Sequence, residues 1–371
     1  MRVLVLGGAG DMGSEAVRDL IKNTDVEAVT IAGRNLEAAE RLACTLRSER
    51  VAVSKVDATD RADLFKVMQG HTVVASALGP FYRFERPLVE AVLEAGLSYV
   101  SICDDHDATA SVLELDDLAR QKGCKILTGL GWTPGLSNIL ARKGYDELSE
   151  VKSIRVYWAG SAGDAKGLAV ILHTLHIFTG TATSFQNGSF CEVKAGSGEE
   201  AVEFLPPLGK INTYHLGHPE PVTLPRYLPG VREVLLKGGL VENYLNGLAK
   251  LVAALHLTNS ARKKMRLGKL LKRLLSLFPV DQQRCLSGLR VEITGRRGGK
   301  AVKVSYGVVD HMNRLTGIPL SIGAYLMAKG EIERLGVYGP EAEGAVNPHR
   351  FLEELARRGV KIVRREEPLE S

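Results

Sequence analysis

At 371 residues, with 45% hydrophobic and 25% charged side chains, the chain is too long for one ordinary core and suits two domains, which excludes a disordered polypeptide. A formal charge of +5 is only mildly basic; composition gives no case for a nucleic-acid partner, although an anionic ligand is compatible with it. The five cysteines, Cys44, Cys103, Cys124, Cys191 and Cys285, are scattered with no C-x-x-C pair, so neither a zinc site nor a redox pair is expected and the thiols read as reduced. No charged-then-apolar leader precedes the first strand, and no apolar run approaches the roughly 20 residues that cross a bilayer. The expectation is a soluble, cytoplasmic protein.

Residues 2–6 are a β-branched and leucine run that ends in Gly7-Gly8-Ala9-Gly10-Asp11-Met12-Gly13, followed by helical patterning over 14–22. In this strand, glycine turn and helix, Gly8 is expected to allow the tight turn. Gly10 lets the backbone approach a pyrophosphate, and Gly13 lets the helix pack closely on the strand, with the helix N-terminus facing the phosphates. The second strand, 28–32, is expected to end over the adenosine ribose, where an NAD enzyme carries Asp or Glu. This chain has Gly33, Arg34 and Asn35 there. A guanidinium without a carboxylate favours a 2′-phosphate, hence NADP over NAD, the competing reading being that Arg34 only solvates the turn.

Strand patterns continue at 51–56, ending at Asp57 and Ala58; at 72–76, ending at Ala77-Leu78-Gly79-Pro80-Phe81; at 98–103, ending at Asp104-Asp105-His106; and at 125–130. In a doubly wound sheet, ligand contacts collect beyond the carboxyl ends of the strands. Asp57 is therefore expected near the adenine, with a helix N-cap as its alternative, and the turn 76–81 near the nicotinamide ribose. Asp104, Asp105 and His106 are candidates for holding a substrate ammonium or moving a proton, with a capping or surface role as the alternative, and Asp107 reads as the N-cap of the next helix.

Several of these segments resemble the saccharopine dehydrogenase-like oxidoreductases, a group with saccharopine reductase, lysine 6-dehydrogenase and carboxynorspermidine synthase. The carriers are the glycine loop, Ala77-Leu78-Gly79-Pro80-Phe81, Tyr99-Val100-Ser101-Ile102-Cys103-Asp104-Asp105 and Gly131-Trp132-Thr133-Pro134-Gly135-Leu136-Ser137-Asn138. Leu315-Thr316-Gly317-Ile318-Pro319-Leu320-Ser321-Ile322-Gly323-Ala324 and the stretch 347–359 add to them. The resemblance is good over 1–140 and 305–365 and loose between. It implies an α/β fold in which a Rossmann domain, 1–135 plus 311–371, carries an inserted α+β substrate and dimerisation domain, 136–310. It also implies hydride transfer at a carbon bearing an amine, cofactor contacts at the glycine loop and the Gly79-Pro80-Phe81 turn, a small amine or amino-acid substrate with a link to lysine metabolism, and a homodimer. The helical patterns at 319–335 and 348–358 fit a return to the first domain.

In the middle, a strand pattern at 151–158 precedes an apolar helix at 168–178 and a hairpin of 289–295 with 301–306, turning at 296–300. His215, His218 and Arg226 fall among proline-stiffened runs read as loops, where Arg226 suits a substrate carboxylate; a plain surface arginine fits equally. His173 and His176 share an apolar helical face and read as core histidines rather than ligands, and no second ligand set argues for a metal. Trp132 and Thr133 are expected to end the last Rossmann strand and wall the substrate cleft.

The stretch 241–278 carries leucines at helical spacing with Arg262, Lys263, Lys264, Arg266, Lys269, Lys272 and Arg273, and no acidic residue falls between Asn243 and Val280. A lid or dimer helix is the preferred reading and a peripheral membrane contact the alternative. The functional expectation is an NAD(P)-dependent oxidoreductase acting on a C–N bond of an amino acid or polyamine-like compound. The alternatives are reduction of a C=O or C=C substrate, and a non-catalytic dinucleotide sensor associated with a membrane.

Overall fold

The computed structural model describes residues 1–164, 167–258, 260–274 and 282–369. Contacts divide the chain into two compact units, one of Met1–Leu136 with Asn313–Gly359, the other of Ser137–Met312 with Val360–Ser371. The expected Rossmann boundary at 311–371 is corrected at its end. Residues after Gly359 group with the second unit, because the last strand pairs there.

The first unit opens as β1 (Arg2–Leu6), α1 (Asp11–Asn23), β2 (Ala28–Gly33), α2 (Leu36–Leu46), β3 (Val51–Lys55) and α3 (Arg61–Met68), then β4 (Val73–Ser76), α4 (Phe81–Ala95), β5 (Ser98–Ser101), α5 (His106–Leu113), α6 (Asp116–Gln121) and β6 (Lys125–Leu127). The second unit holds α7 (Leu136–Asp146), β7 (Glu150–Gly160), α8 (Leu168–Ile177), β8 (Thr181–Gln186), β9 (Ser189–Lys194), β10 (Glu200–Glu203), β11 (Lys210–His215), α9 (Glu220–Tyr227), β12 (Glu233–Leu240), α10 (Asn243–Ala254), α11 (Ala261–Leu274), β13 (Ser287–Arg297) and β14 (Lys300–Asp310). The chain returns to the first unit through α12 (Met312–Ala328), β15 (Gly336–Tyr338) and α13 (Pro348–Arg357), and ends in β16 (Val363–Pro368).

Among the described residues the first unit is an α/β Rossmann layer with strand order β15-β6-β5-β4-β1-β2-β3, parallel throughout. Burial on both faces explains why its strands read as unbroken apolar runs: Val3, Leu4 and Val5 are fully buried. Helix α1 buries Gly13, Ala16, Val17, Leu20 and Ile21, the spacing of one helical face. It stops at Thr24, whose hydroxyl donates to the Leu20 carbonyl at 2.6 Å.

Two helices return to α1. Gly317 of α12 lies where a Cβ would stand 2.6 Å from the Met12 carbonyl oxygen, so the two backbones touch. Arg358, after α13, donates from Nε to both Asp19 oxygens at 2.8 Å and from its guanidinium to Glu354. Its side chain is 2% exposed and that of Asp19 3%. The Ser321 hydroxyl also donates to Asp19, at 2.6 Å. The helix expected over 319–335 instead begins at Met312 and runs through Pro319. The proline disfavours the residues before it in a helix, but burial of Leu315, Ile318, Leu320 and Ile322 outweighs that local cost. Strand β15, three residues long, has no legible pattern in the sequence.

In the second unit β12 runs parallel to β7, and antiparallel pairs carry the sheet outward on one side through β13, β14 and β16. The expected hairpin is present but longer, Ser287–Arg297 against Lys300–Asp310. Its turn is tightened by Gly298 and Gly299, both at positive φ. The basic stretch 241–278 forms α10 and α11; its residues 259 and 275–278 lie outside the described residues.

Breaking a buried ion pair from one side leaves charges in a dry site and costs roughly 3–5 kcal/mol. Arg358→Met is therefore expected to lower the stability of the first unit by about 3 kcal/mol in urea titration. Adding Asp19→Asn to that variant should recover part of the loss; a neutral Arg358→Met would show that the pair does not hold α1.

Candidate functional site

The glycine loop is built by steric necessity. Gly7 sits at φ +73°, where a Cβ would come within 2.7 Å of the Ala77 carbonyl oxygen, so the left-handed position of the turn belongs to Gly7 and not, as expected, to Gly8. Gly8 is buried under β1 and β2, with a Cβ position 3.0 Å from the Val5 carbonyl and 3.2 Å from Ile31. Gly13 is the tightest of the four: its Cβ would meet the Gly7 carbonyl oxygen at 2.3 Å. Gly10 is exposed and its Cβ position has only the Gly7 oxygen near, at 3.2 Å. Steric crowding does not demand glycine there, which leaves close approach of a ligand as the physical reason for it.

The N-terminus of α1 has Gly10 as its cap and no side-chain hydrogen bond to its first amides. These donors, with the positive end of the helix dipole, form an anion site. Ala9 and Asp11 lie on the loop and the first turn, and Met12 follows them half-buried. A cleft of about 380 Å³ continues from Gly7 across the carboxyl ends of β2, β3 and β4. Gly33 and Arg34, Asp57 and Ala58, and Leu78 and Gly79 line it, with Phe84 from α4. These strand ends flank the β4–β1 neighbourhood where the chain order reverses, the place where open parallel sheets hold ligands.

Arg34 is exposed at the end of β2, and no carboxylate takes that position. Asn35, expected among the cofactor contacts, accepts the Ala38 amide at 3.0 Å and caps α2. Asp57 is not the N-cap of α3; Asp60 is. The Thr59 amide and hydroxyl hold the Asp57 carboxyl below the usual carboxylate range, and Arg34 and Arg83 add to that. Ala77 supplies the carbonyl over Gly7, and Pro80 precedes α4 as its cap residue.

Asp104, Asp105 and His106 follow β5, and they differ in exposure. Asp105 is fully buried and accepts the Tyr82 amide at 2.8 Å, fastening the first turn of α4 to the end of β5. Asp104 and His106 are half-buried. Asp105 is the cap residue of α5, so the expected N-cap at Asp107 is corrected; Asp107 lies inside the helix. Burial and the neighbouring Asp105 raise the Tyr82 phenol above its ordinary range, keeping it protonated at neutral pH.

Beneath this edge lies a group that nothing in the amino-acid order singles out. Glu85 of α4 is fully buried and accepts the hydroxyls of Tyr99 at 2.8 Å, Ser101 at 2.5 Å and Thr128 at 3.0 Å. Burial pushes its carboxyl up to about 7 against the three donors, which favour the charged form. A glutamate inside an amphipathic helix pattern reads as solvent-facing, and only the sheet packing turns it inward.

Trp132 and Thr133 are buried but do not end a strand as expected. β6 stops at Leu127, and the two lie in a turn closed by the bridge of Gly131 with Gly135. In the second unit, His215 ends β11 and Arg226 is exposed in the last turn of α9, so both stand on regular elements rather than on loops. Burial and then Lys237 lower the His215 imidazole. His218 is buried, and its Nε2 lies 3.4 Å from that of His173, so the helix face read as core brings a second histidine to it. His176 Nδ1 meets Lys264 Nζ at 2.7 Å.

A parallel sheet with an open glycine loop and an anion-binding helix end defines a dinucleotide-binding protein. Residues 3–127 match the family model described as Saccharopine dehydrogenase NADP binding domain. Apo saccharopine dehydrogenase (L-Glu forming) from Saccharomyces cerevisiae shares the fold over 100% of both chains, at a TM-score of 0.71 and 16% identity. A short-chain dehydrogenase from Bacillus anthracis overlaps 34% of this chain and 71% of its own, at 0.30 and 12%. The family match covers the dinucleotide-binding part of the chain and supports NADP as its cofactor, and the likeness to the yeast enzyme, at 16% identity, is one of fold.

Two outcomes test the site. Gly13→Ala must push backbone against backbone, so it should cost about 2 kcal/mol of stability and weaken NADPH binding in calorimetry, whereas Gly10→Ala should fold normally and lose affinity alone; equal behaviour of the two would refute their division of labour. For Glu85, an unfolded carboxyl titrates near its ordinary 4.5 and the folded one near 7. The neutral form's contribution is full below about 4.5 and is lost as pH rises through about 7, a window worth roughly 3 kcal/mol. Glu85→Gln should therefore gain stability relative to the parent between about pH 5 and about pH 8, by about 2–3 kcal/mol in urea titrations. Parallel pH curves would refute the assignment.

Proposed function

We propose that the protein is an NADP-dependent oxidoreductase that transfers hydride at a carbon bonded to nitrogen, in an amino acid or polyamine-like substrate of the saccharopine type. The observation that carries the cofactor half is the end of β2, where Arg34 lines the cleft and the strand is followed by Arg34 and Asn35 rather than by a carboxylate. Bound NADP supplies the hydride acceptor. The loop from Gly7 to Gly13 and the amides of α1 would hold its pyrophosphate, Arg34 would pair with the 2′-phosphate, Asp57 and Ala58 would serve the adenine side, and Ala77, Leu78, Gly79 and Pro80 the nicotinamide side.

The chain's own groups then handle charge and protons. Asp104, half-buried after β5, holds the substrate ammonium. His106 takes the proton that leaves nitrogen as hydride leaves carbon, so that the C–N single bond becomes C=N and one proton is released. Asp105 acts as a positioning residue, because its carboxylate is fully buried and engaged with the Tyr82 amide. Within the second unit, the exposed guanidinium of Arg226 suits a carboxylate. The likeness to saccharopine dehydrogenase (L-Glu forming) supports an amino-acid substrate built from an amine and a keto acid.

The test is a spectrophotometric screen of amines and amino acids with NADP, run beside NADPH with keto acids plus amines. Turnover of a secondary amine is expected, and failure of the protein to bind either dinucleotide in calorimetry would overturn the reading. Arg34→Ala should weaken NADPH by about tenfold or more, the worth of a charge-assisted contact of about 1.5 kcal/mol, and leave NADH nearly unchanged. An equal loss for both would remove Arg34 from the 2′-phosphate.

A further inference from the structure

The α10–α11 segment takes no part in the dinucleotide site. Between residues 243 and 280 the sequence holds eight Lys and Arg and no Asp or Glu. That exceeds the +5 of the whole chain, so the rest of the protein is net negative and its basicity is concentrated here. Helix α11 is fastened by one face: Leu267 and Leu271 pack on Ile171 and Leu175 of α8 with Val252 of α10. Gly268 lies so close that a Cβ would stand 2.8 Å from Leu172. At about 100° per residue this anchoring turns Arg262, Lys263, Arg266, Lys269, Lys272 and Arg273 to the opposite arc, and all six are exposed.

Apolar side chains accompany the charge. Leu270 lies in the same arc of α11 and is 51% exposed. On α10, Tyr244, Leu251 and Leu255 recur at helical spacing and are 47%, 54% and 59% exposed. Their opposite face, Leu245, Ala249 and Val252, is the buried one.

We propose that this face is a peripheral docking surface for an anionic lipid bilayer, with the cations of α11 against the headgroups and the leucines of α10 and Leu270 at the acyl boundary. Charge complementarity selects the occupant. A second copy meeting face to face would set six cations against six. The phosphate backbone of a nucleic acid would attract the cations but gives the exposed leucines nothing apolar to enter, whereas a bilayer interface meets both. No helix among the described residues is long and apolar enough to cross a membrane, so the contact is one of lying on the surface.

The test is flotation of the full chain with phosphatidylcholine vesicles, with and without roughly one-third phosphatidylserine. Binding should be about tenfold or more stronger with the anionic lipid, and should fall by a similar factor between about 0.1 M and about 0.5 M salt as screening shortens. Lys263→Gln, Arg266→Gln, Lys269→Gln and Lys272→Gln together should abolish it, while Leu251→Ser with Leu255→Ser should weaken it severalfold and leave the salt dependence in place. Unchanged circular dichroism and NADPH binding in both variants keep the result separate from misfolding and from the proposed enzymatic activity. Equal binding to both vesicles, no binding at low salt, tighter binding to a DNA duplex than to the vesicles, or a dimer in sedimentation that the fourfold variant dissolves would each overturn the proposal.

Discussion

The first unit depends on one approach that leaves no room for a side chain, the backbone of α1 at Gly13 lying over the carbonyl of Gly7. With a Cβ at 2.3 Å the helix would have to lift from the loop, and its first amides would no longer point along the turn. The remaining contacts of α1 maintain this closeness. Gly317 brings α12 against the Met12 carbonyl, and Asp19, buried with Arg358 and reached by the Ser321 hydroxyl, fixes the middle of the helix. Segments more than 300 residues apart in sequence thus determine the direction in which an anion site opens, which couples cofactor binding to the return of the chain into its first domain.

A second constraint runs through α4. Its first turn is tied by the Tyr82 amide to Asp105, and one turn on, Glu85 gathers hydroxyls from β5 and from just beyond β6. A buried carboxyl is an expensive way to join a helix to a sheet unless its charge is suppressed or fully solvated by donors. Here three hydroxyls partly compensate and the group titrates near neutrality. The same helix contributes Phe84 to the cleft and Arg83 to the electrostatics of Asp57, so one element touches both the Asp57 end of the cleft and, through the Tyr82 amide, the Asp105 edge of the unit.

The second unit shows a different economy. Its sheet is built from long antiparallel pairs around β7 and β12, and a helical layer of α8, α10 and α11 shares one apolar cluster. That cluster takes Leu248 and Val252 from α10 and Leu267 and Leu271 from α11, while the exposed faces of the two helices point out of the fold. Concentrating the positive charge of the chain there while leaving leucines exposed is costly for solubility, and the anionic bilayer proposed above is a counterpart that would meet both the charge and the apolar side chains.

Amino-acid order alone determined the Rossmann half in most of its parts, because strands buried on both faces and a glycine loop are local signals: β1, the loop, α1 and the basic end of β2 can be read without a partner. It also determined that 243–280 carries charge of one sign. What it did not determine were contacts made across long separations. Pro319 reads as a helix boundary, yet burial around it keeps α12 continuous. Glu85 is not singled out by its helical pattern and Asp105 reads as a candidate for handling substrate or proton, yet both are fully buried, one on α4 and the other against its first turn. Arg226 and His215 read as loop residues, yet they ride on α9 and β11. Residues after Gly359 read as a return to the first domain, yet the open edge of β14 captures them as β16. In each case a local preference worth about 1 kcal/mol or less is set against burial worth several, and only the tertiary structure decides the outcome.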